Sequence, residues 1–344
     1  MKNTGVILEK RPSDWVFGDN SLLKGTVINL LGDYRSFLPT HEKQIAVYFD
    51  SMACVTFSAL NCIEIILNYK RSKGELPQAM INEFKEYGYI DENDKFNFSD
   101  RYIAKLSGTT RQGNSLSNVA DAIRNYGLVP EKLWPFPTDQ RTPVFPWDEF
   151  YKEIPQNVID VGQKVFLKWV KVNTEYVLSG AVDTNYIAQT IERKLKEGPL
   201  QIATATCPGW NEGDVVPIKS CTEPIAHATT IINHDDSGVY NDYDHYVPYQ
   251  KMLAPDYPIP WAMLYALTIK PPTSELVKEV GSPAVYLHVM PDDEYYAIAD
   301  SEVLTGGQLL KTFSGSYGNA AIKSVPAGSI PQLKKVGDVK PRKF

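Results

Sequence analysis

The chain has 344 residues, 43% of them hydrophobic, 22% charged and 11% aromatic, the composition of a folded protein rather than a disordered or fibrous one. A net charge of −6 with scattered basic residues gives no footprint for nucleic acid, and no apolar run approaches the 18 residues a membrane helix needs. The opening "MKNTGVILEKRPSDW" lacks the apolar segment of a secretory signal, which leaves a cytoplasmic or particle-borne protein as the expectation.

In chain order, residues 1–23 read as an N-terminal arm, and "GTVINL" at 25–30 as a first strand. From 52 to 69, Phe57, Leu60, Ile63, Ile66 and Leu67 recur at helical spacing, with Asp50 or Ser51 as N-cap and "GELP" as the stop. A second helix runs from about 78 to 87 and ends at Gly88; residues 91–114 are polar and turn-rich. "SLSNVADAIRNYGLV" is a helix capped by Ser115 or Ser117 and closed by Gly127, followed by the proline-punctuated loop "PEKLWPFPTD".

Alternation in "VGQKVFLKWVKV" suggests a strand after a short helix. "NYIAQTIERKLKEGPLQIATATC" is a helix to Lys196, a turn at Gly198 and Pro199, and a strand through Ile202 and Ala205. "HATTIINHDD" and "GVYNDYDHY" form a hairpin, and "AMLYALTI" is a further strand. "KPPTSELVKEVGSP" has the composition of a connector or short helix, "AVYLHVMPDDEYYAIAD" that of a hairpin turning near Pro291 and Asp292, and the basic end at 334–344 that of a solvated tail.

The four cysteines, at 54, 62, 207 and 221, show no CxxC pair, so no metal and no cofactor is expected. Cys54 and Cys62 lie eight residues apart on one helix, about 12 Å along the axis, too far to bridge. Cys207 and Cys221 could pair across a loop, but reduced thiols are the default.

A nucleophilic cysteine needs a lowered pKa, a base, and a third group to orient that base. Cys54 falls in the first turn of its helix, where unpaired N–H groups favour a thiolate; a buried inert thiol is the alternative. His227 opens a rigid β-branched strand, and Asp242 and Asp244 share one face of the likely partner strand, with Asn241 on the other.

"DSMACVTFSALNCIE" resembles the cysteine-bearing segment of papain-like cysteine peptidases, and "AHATTIINHDD" resembles their histidine strand. "SLSNVADAIRNYGLVPEKLWPF" and "IERKLKEGPLQIATA" match, in order, the inter-lobe helix and the helix and strand preceding the histidine. The resemblance implies an α+β fold of two lobes over residues 24–270, one helical and one an antiparallel sheet or barrel, with 271–344 a small C-terminal β module bearing the basic tail. Cys54 becomes the nucleophile, His227 its base and later acid, and Asp244 the orienting group, with Asp242 behind it. Aspartate stands where the family usually has asparagine.

The family's oxyanion glutamine precedes the nucleophile by six residues, where this chain has Tyr48; Gln44, ten residues before, is the candidate in its place. The family's "CGSC" run is absent, and with it the disulfide it supports. "GSPAVYLHV" and the disulfide-poor, signal-free peptidase core look similar to papain-like proteins of tailed bacteriophages, some of them virion components. The expected activity is therefore peptide-bond hydrolysis through a Cys54 thioester, on a protein or peptide substrate. A cell-wall peptidase or amidase with the same Cys-His-Asp chemistry, or a non-catalytic structural protein of a virion with virion partners, are the alternatives. Trp210, in "CPGWNEGD", is a candidate wall of the cleft or, equally, a packing anchor.

Overall fold

In the computed structural model, the described residues are 5–9, 11, 26–46, 49–136, 147–211, 217–270, 273–279, 285–290, 294–298, 323–325 and 335–338. The chain forms two compact units, one of residues 1–76 and 80–270, the other of 271–344 with 77–79.

The first unit begins with β1 (Val6–Ile7), two short strands β2 (Ile45–Ala46) and β3 (Phe49–Asp50), and the helix α1 (Cys54–Ser72). "GTVINL" does not form a strand. Residues 26–30 are irregular, and the amides of Ile28 and Asn29 are spent on the carbonyl of Lys196, with no strand beside them. Every residue of α1 from Cys54 to Tyr69 is buried, so the helix has no solvent face along its first four turns. Its N-cap is Ala53, which offers no side-chain oxygen. The acid expected to cap it, Asp50, instead accepts from the Met52 amide, and Ser51 donates its hydroxyl to the carbonyl of Gln44.

Helices α2 (Gln78–Tyr87), α3 (Asp100–Leu106) and α4 (Leu116–Tyr126) follow, with β4 (Asn114–Ser115) just before α4. Gly88 ends α2 at φ 84°. The polar stretch read as turns contains α3, capped by the hydroxyl of Ser99, which accepts from the Tyr102 amide. Ser115 caps α4 by accepting from the Asn118 amide at 3.3 Å, and Gly127 closes it at φ 68°, where a Cβ would lie 2.2 Å from the carbonyl oxygen of Gly162. Short helices α5 (Trp147–Phe150) and α6 (Gln156–Val161) lead through a π turn to α7 (Leu167–Trp169).

The remainder of this unit is strand: β5 (Val170–Ser179), then α8 (Thr184–Leu195), β6 (Leu200–Thr204), β7 (His227–His234), β8 (Tyr240–Tyr243), β9 (Gln250–Leu253) and β10 (Trp261–Ile269). They make one sheet in the order β5-β10-β6-β7-β8-β9, with every neighbouring pair antiparallel. The fold is thus α+β, a helical lobe containing α1 and an antiparallel sheet lobe.

Alternation along the sheet explains how it carries a helix on each face. Leu200, Ile202 and Ile231 share one apolar cluster with Ile187, Ile191 and Leu195 of α8. The intervening residues turn to α1: Gln201 Nε2 donates to the Val55 carbonyl at 2.7 Å and to Ser58 Oγ at 2.9 Å, and Thr230 Oγ1 donates to the Ser58 carbonyl at 3.1 Å. These bonds fix α1 against β6 and β7 within a turn of its start, which holds Cys54 in register with the start of β7.

Cys207 and Cys221 form a disulfide, contrary to the expectation of reduced thiols; their Cα atoms stand 5.7 Å apart, within bridging range. Both pack against the cluster under α8.

The second unit contains a five-stranded sheet of β11 (Thr273–Glu279), β12 (Val285–Met290), β13 (Glu294–Ile298), β14 (Lys323–Val325) and β15 (Lys335–Asp338), in the order β14-β11-β12-β13-β15. Residues 273–279, expected as connector or short helix, are a strand because they pair with β12, and part of the basic end, 335–338, pairs with β13. β12 and β13 form the expected antiparallel hairpin; residues 291–293 of its turn and 281–284 of "GSPAVYLHV" lie outside the described residues. No described helix is long and apolar enough to cross a membrane.

Around α1 and α3 lies a cluster of carboxyl groups. Glu64 and Asp100 are buried, with Glu42 and Glu131 half-buried beside them. Burial pushes all four above the usual carboxylate range, and the negative charge of Glu42 adds to it for Glu64, Asp100 and Glu131. The unfolded chain ionises such groups as pH rises past about 4, whereas the folded chain resists, so their effect on stability is loss with rising pH. Thermal melts should show the Tm falling from pH 5.5 to pH 8, and Glu64→Gln, whose amide oxygen can still accept from the Phe98 amide, should shrink that fall. An unchanged pH dependence in the variant would show that Glu64 is not held protonated.

Candidate active site

Two element starts and one element end meet in the sheet lobe. Cys54 is the first residue of α1, His227 the first of β7, and Asp244 follows directly on β8. Their positions rest on the bonds between α1 and the sheet and on the β7/β8 pairing, with Asp242 opposite Ile231. The Asp244 amide donates to the Tyr249 carbonyl at 2.7 Å, which fixes the backbone where the chain leaves β8.

The Cys54 thiol is within hydrogen-bonding reach of the His227 imidazole. His227 Nε2 stands 3.0 Å from Asp244 Oδ1, which leaves Nδ1 as the ring nitrogen available to the thiol. Asp244 is completely buried and accepts from three other donors: the His245 amide at 2.8 Å on Oδ1, and Trp210 Nε1 and Lys251 Nζ, each at 2.9 Å, on Oδ2. The Trp210 ring packs edge-on to the His227 ring, with centroids 5.7 Å apart, so it braces the imidazole and its carboxylate as a packing anchor.

The electrostatics follow from this geometry. Burial by itself lowers the His227 pKa, but the charge and hydrogen bond of Asp244, with the Cys54 thiol, outweigh it and raise the imidazole to about 10. Burial would raise Asp244, yet the charge and hydrogen bond of His227 and the charge of Lys251 hold it well below the usual carboxylate range. Asp242, buried behind it, is pushed up to about 7 by burial and by the charge of Asp244, so it is the proton-holding member of the acidic pair. His245 is driven down to about 3, chiefly by burial, and is neutral at physiological pH.

His227, Asp244 and His245 offer ligand atoms within 4.8 Å of one another. The Lys251 ammonium on the same carboxylate opposes a second cation there.

Gln44 is buried, and its Nε2 donates to Asp50 Oδ1 at 2.7 Å. Asp50 Oδ2 in turn accepts from the Tyr246 hydroxyl at 3.2 Å, and the Tyr246 ring lies 5.2 Å from that of His227. Gln44 therefore belongs to the neighbourhood of the site through Asp50 and Tyr246. Tyr48, the position where a glutamine was looked for, lies outside the described residues. Cys62, two turns along α1, has its thiol pushed above the ordinary range by complete burial, the inert member of the two.

Cys54 has no exposed surface, and the N-terminal segment is what stands against it. A Cβ built on Gly5, at φ 100°, would lie 3.1 Å from Cys54 Sγ, and one built on Gly113 would lie 1.9 Å from the Gly5 carbonyl oxygen, so glycine is required at both points of this close passage. β1 runs parallel to β4, the Asn114 amide donates to the Gly5 carbonyl at 3.0 Å, and Glu9 accepts from Ser115 Oγ at 2.9 Å.

Sequence reasoning named Cys54, His227, Asp244 and Gln44 but passed over Lys251, His245 and Tyr246. Lys251 sits in "YQKML" as an ordinary strand lysine, and only its burial distinguishes it.

No family model and no curated protein matches the chain. Among solved structures it is similar to xylellain, a cysteine protease from Xylella fastidiosa, at 15% identity over 78% of this chain and 96% of that one, TM-score 0.46. It is similar to procathepsin B S9 from Trypanosoma congolense at 12% identity over 78% and 87%, TM-score 0.47. For the bromelain protease of Ananas comosus the identity is 11% over 69% and 98%, TM-score 0.41.

Removing the carboxylate leaves Lys251 as a buried cation without its anion and takes from His227 the charge that holds its proton, so Asp244→Ala should cost about 3–5 kcal/mol of stability in denaturant titrations below neutral pH. The penalty should be greatest between about pH 4.5 and 6.5 and shrink as pH rises from there towards about 10. Asp244, with its depressed pKa, contributes above the unfolded value near 4 and loses this as pH falls, while His227, with its raised pKa, loses its contribution as pH climbs towards about 10. A penalty independent of pH would contradict this reading.

Proposed function

We propose that the chain is a papain-like cysteine peptidase that hydrolyses peptide bonds through an acyl-enzyme on Cys54. The observation that supports this most strongly is the chain of contacts from the Cys54 thiol to the His227 imidazole to the buried Asp244 carboxylate. A scaffold has no need of an uncapped helix start at a cysteine, a histidine tied by one ring nitrogen, and a carboxylate with four donors.

In this reading His227 takes the thiol proton and Cys54 Sγ attacks the scissile carbonyl carbon, giving a tetrahedral oxyanion. The amide N–H of Cys54 at the start of α1 and the second amide hydrogen of Gln44 Nε2 are the donors for that oxygen. The tetrahedral species collapses to a thioester as the C–N bond breaks and the imidazolium gives its proton to the leaving amine. Water, deprotonated by His227, then attacks the thioester and releases the acid and the thiol. Asp244 holds the imidazole with Nδ1 towards sulfur throughout.

The segment 5–9 must leave Cys54 before a peptide can reach it, so the described arrangement corresponds to a covered site. The chain and a form lacking residues 1–9 should both be treated with iodoacetamide at pH 7, and the adducts located by mass spectrometry. Loss of the few hydrogen bonds of β1, each worth about 0.5–1.5 kcal/mol net, should speed Cys54 labelling by at least about tenfold. His227→Ala should abolish the labelling in both forms. Labelling of Cys54 no faster than that of Cys62, in either form, would sink the proposal.

A further inference from the structure

An aspartate beside a catalytic imidazole brings a full negative charge into a buried site, where solvent screens it poorly. In this protein the second oxygen of that aspartate is met by a buried lysine. Lys251 is 2% exposed; its Nζ donates to Asp244 Oδ2 at 2.9 Å, to the Tyr246 carbonyl at 2.8 Å and to the Pro248 carbonyl, and it lies 5.3 Å from the centre of the Trp210 ring. All three hydrogens of the ammonium are thereby used, two on the 246–248 turn and one on the carboxylate that orients His227.

We propose that Lys251 is a positioning residue for the Cys54–His227 pair: its ammonium neutralises Asp244, so that the carboxylate orients the imidazole without fixing the proton on it too tightly. This rests on the peptidase reading above. With the thiolate and imidazolium formed, Cys54, His227, Asp244 and Lys251 carry alternating charges that sum to zero inside the protein. An imidazolium held by an unneutralised carboxylate is a poor proton donor to the leaving amine, because its acidity must lie near that of its working conditions. Lys251 and Asp244 therefore form one unit, and either alone is worse than neither.

The groups facing this unit are few. Cys54 comes from α1, Asp242 from β8, and His245 and Tyr246 from the turn that follows it, while Asp50 approaches from β3 through the Tyr246 hydroxyl. Trp210 supplies a neutral donor from the disulfide loop. Among these, only Lys251 is a cation placed on the far oxygen of Asp244.

The test compares the full chain with Lys251→Met, Asp244→Asn and the double variant Asp244→Asn/Lys251→Met. Nitrogen-15 NMR of labelled histidine rings reads the His227 titration midpoint, and thermal melting reads stability. Charge neutralisation predicts that Lys251→Met raises the proton affinity of His227 by at least about tenfold over the unsubstituted chain, since a balancing cation is gone. It also predicts that the double variant lowers that affinity below the unsubstituted value and melts higher than Asp244→Asn, which strands a buried ammonium.

If Lys251 only ties down the 246–248 turn, Lys251→Met leaves the midpoint where it was and the double variant melts no higher than Asp244→Asn; either result overturns the inference. Should Lys251→Met fail to fold, the double variant decides alone, since it folds if charge is the issue and fails if anchoring is. An unsubstituted chain whose His227 titrates at an ordinary value of about 6.5 would instead remove the cysteine–histidine pair, and with it the peptidase reading, before any variant is compared.

Discussion

The Asp244 carboxylate is the point on which the site depends. It is fully buried, accepts from the imidazole of His227, the indole of Trp210, the ammonium of Lys251 and the amide of His245, and so links β7, the disulfide loop and β9 to the turn after β8. A buried carboxylate is tolerated only when its lone pairs are filled and its charge is balanced. Satisfying that requirement fixes the orientation of the histidine ring, leaving one imidazole nitrogen for the start of α1.

The other half of the arrangement is the seating of α1. A helix buried on all sides for four turns needs its polar residues paired, and here the partners come from opposite sides: Gln201 and Thr230 of the sheet, and the backbone at Phe96 and Phe98 facing Asn68 and Glu64. The helix start is thereby fixed relative to the sheet without any side-chain cap.

Much of this was legible in the residues because local rules and tertiary demands coincide. Ser115 and Gly127 bound α4 by capping and by a positive φ, and the β-branched run after His227 has the composition of the strand it forms. The readings that failed are those where a distant partner decides. Asp50 looks like a cap until Gln44 and the Met52 amide claim it; "GTVINL" has strand composition but no strand to pair with; residues 273–279 become a strand because β12 stands beside them. The disulfide of Cys207 and Cys221 depends on two positions 14 residues apart being brought within 5.7 Å, and the role of Lys251 on a burial that spacing does not reveal. Within the acidic pair, Asp242 and Asp244 were indistinguishable by period; the end of β8 separates them by giving one the imidazole and leaving the other to hold a proton.

The central claim is acyl transfer through Cys54, and the intermediate itself is the most direct thing to observe. Intact-mass spectrometry of the acid-quenched reaction between the chain lacking residues 1–9 and an activated peptide ester should show one acyl group on Cys54, removable by hydroxylamine and absent from Cys54→Ala. Turnover of the ester that persists in Cys54→Ala, with no adduct on the unsubstituted thiol, would contradict the account.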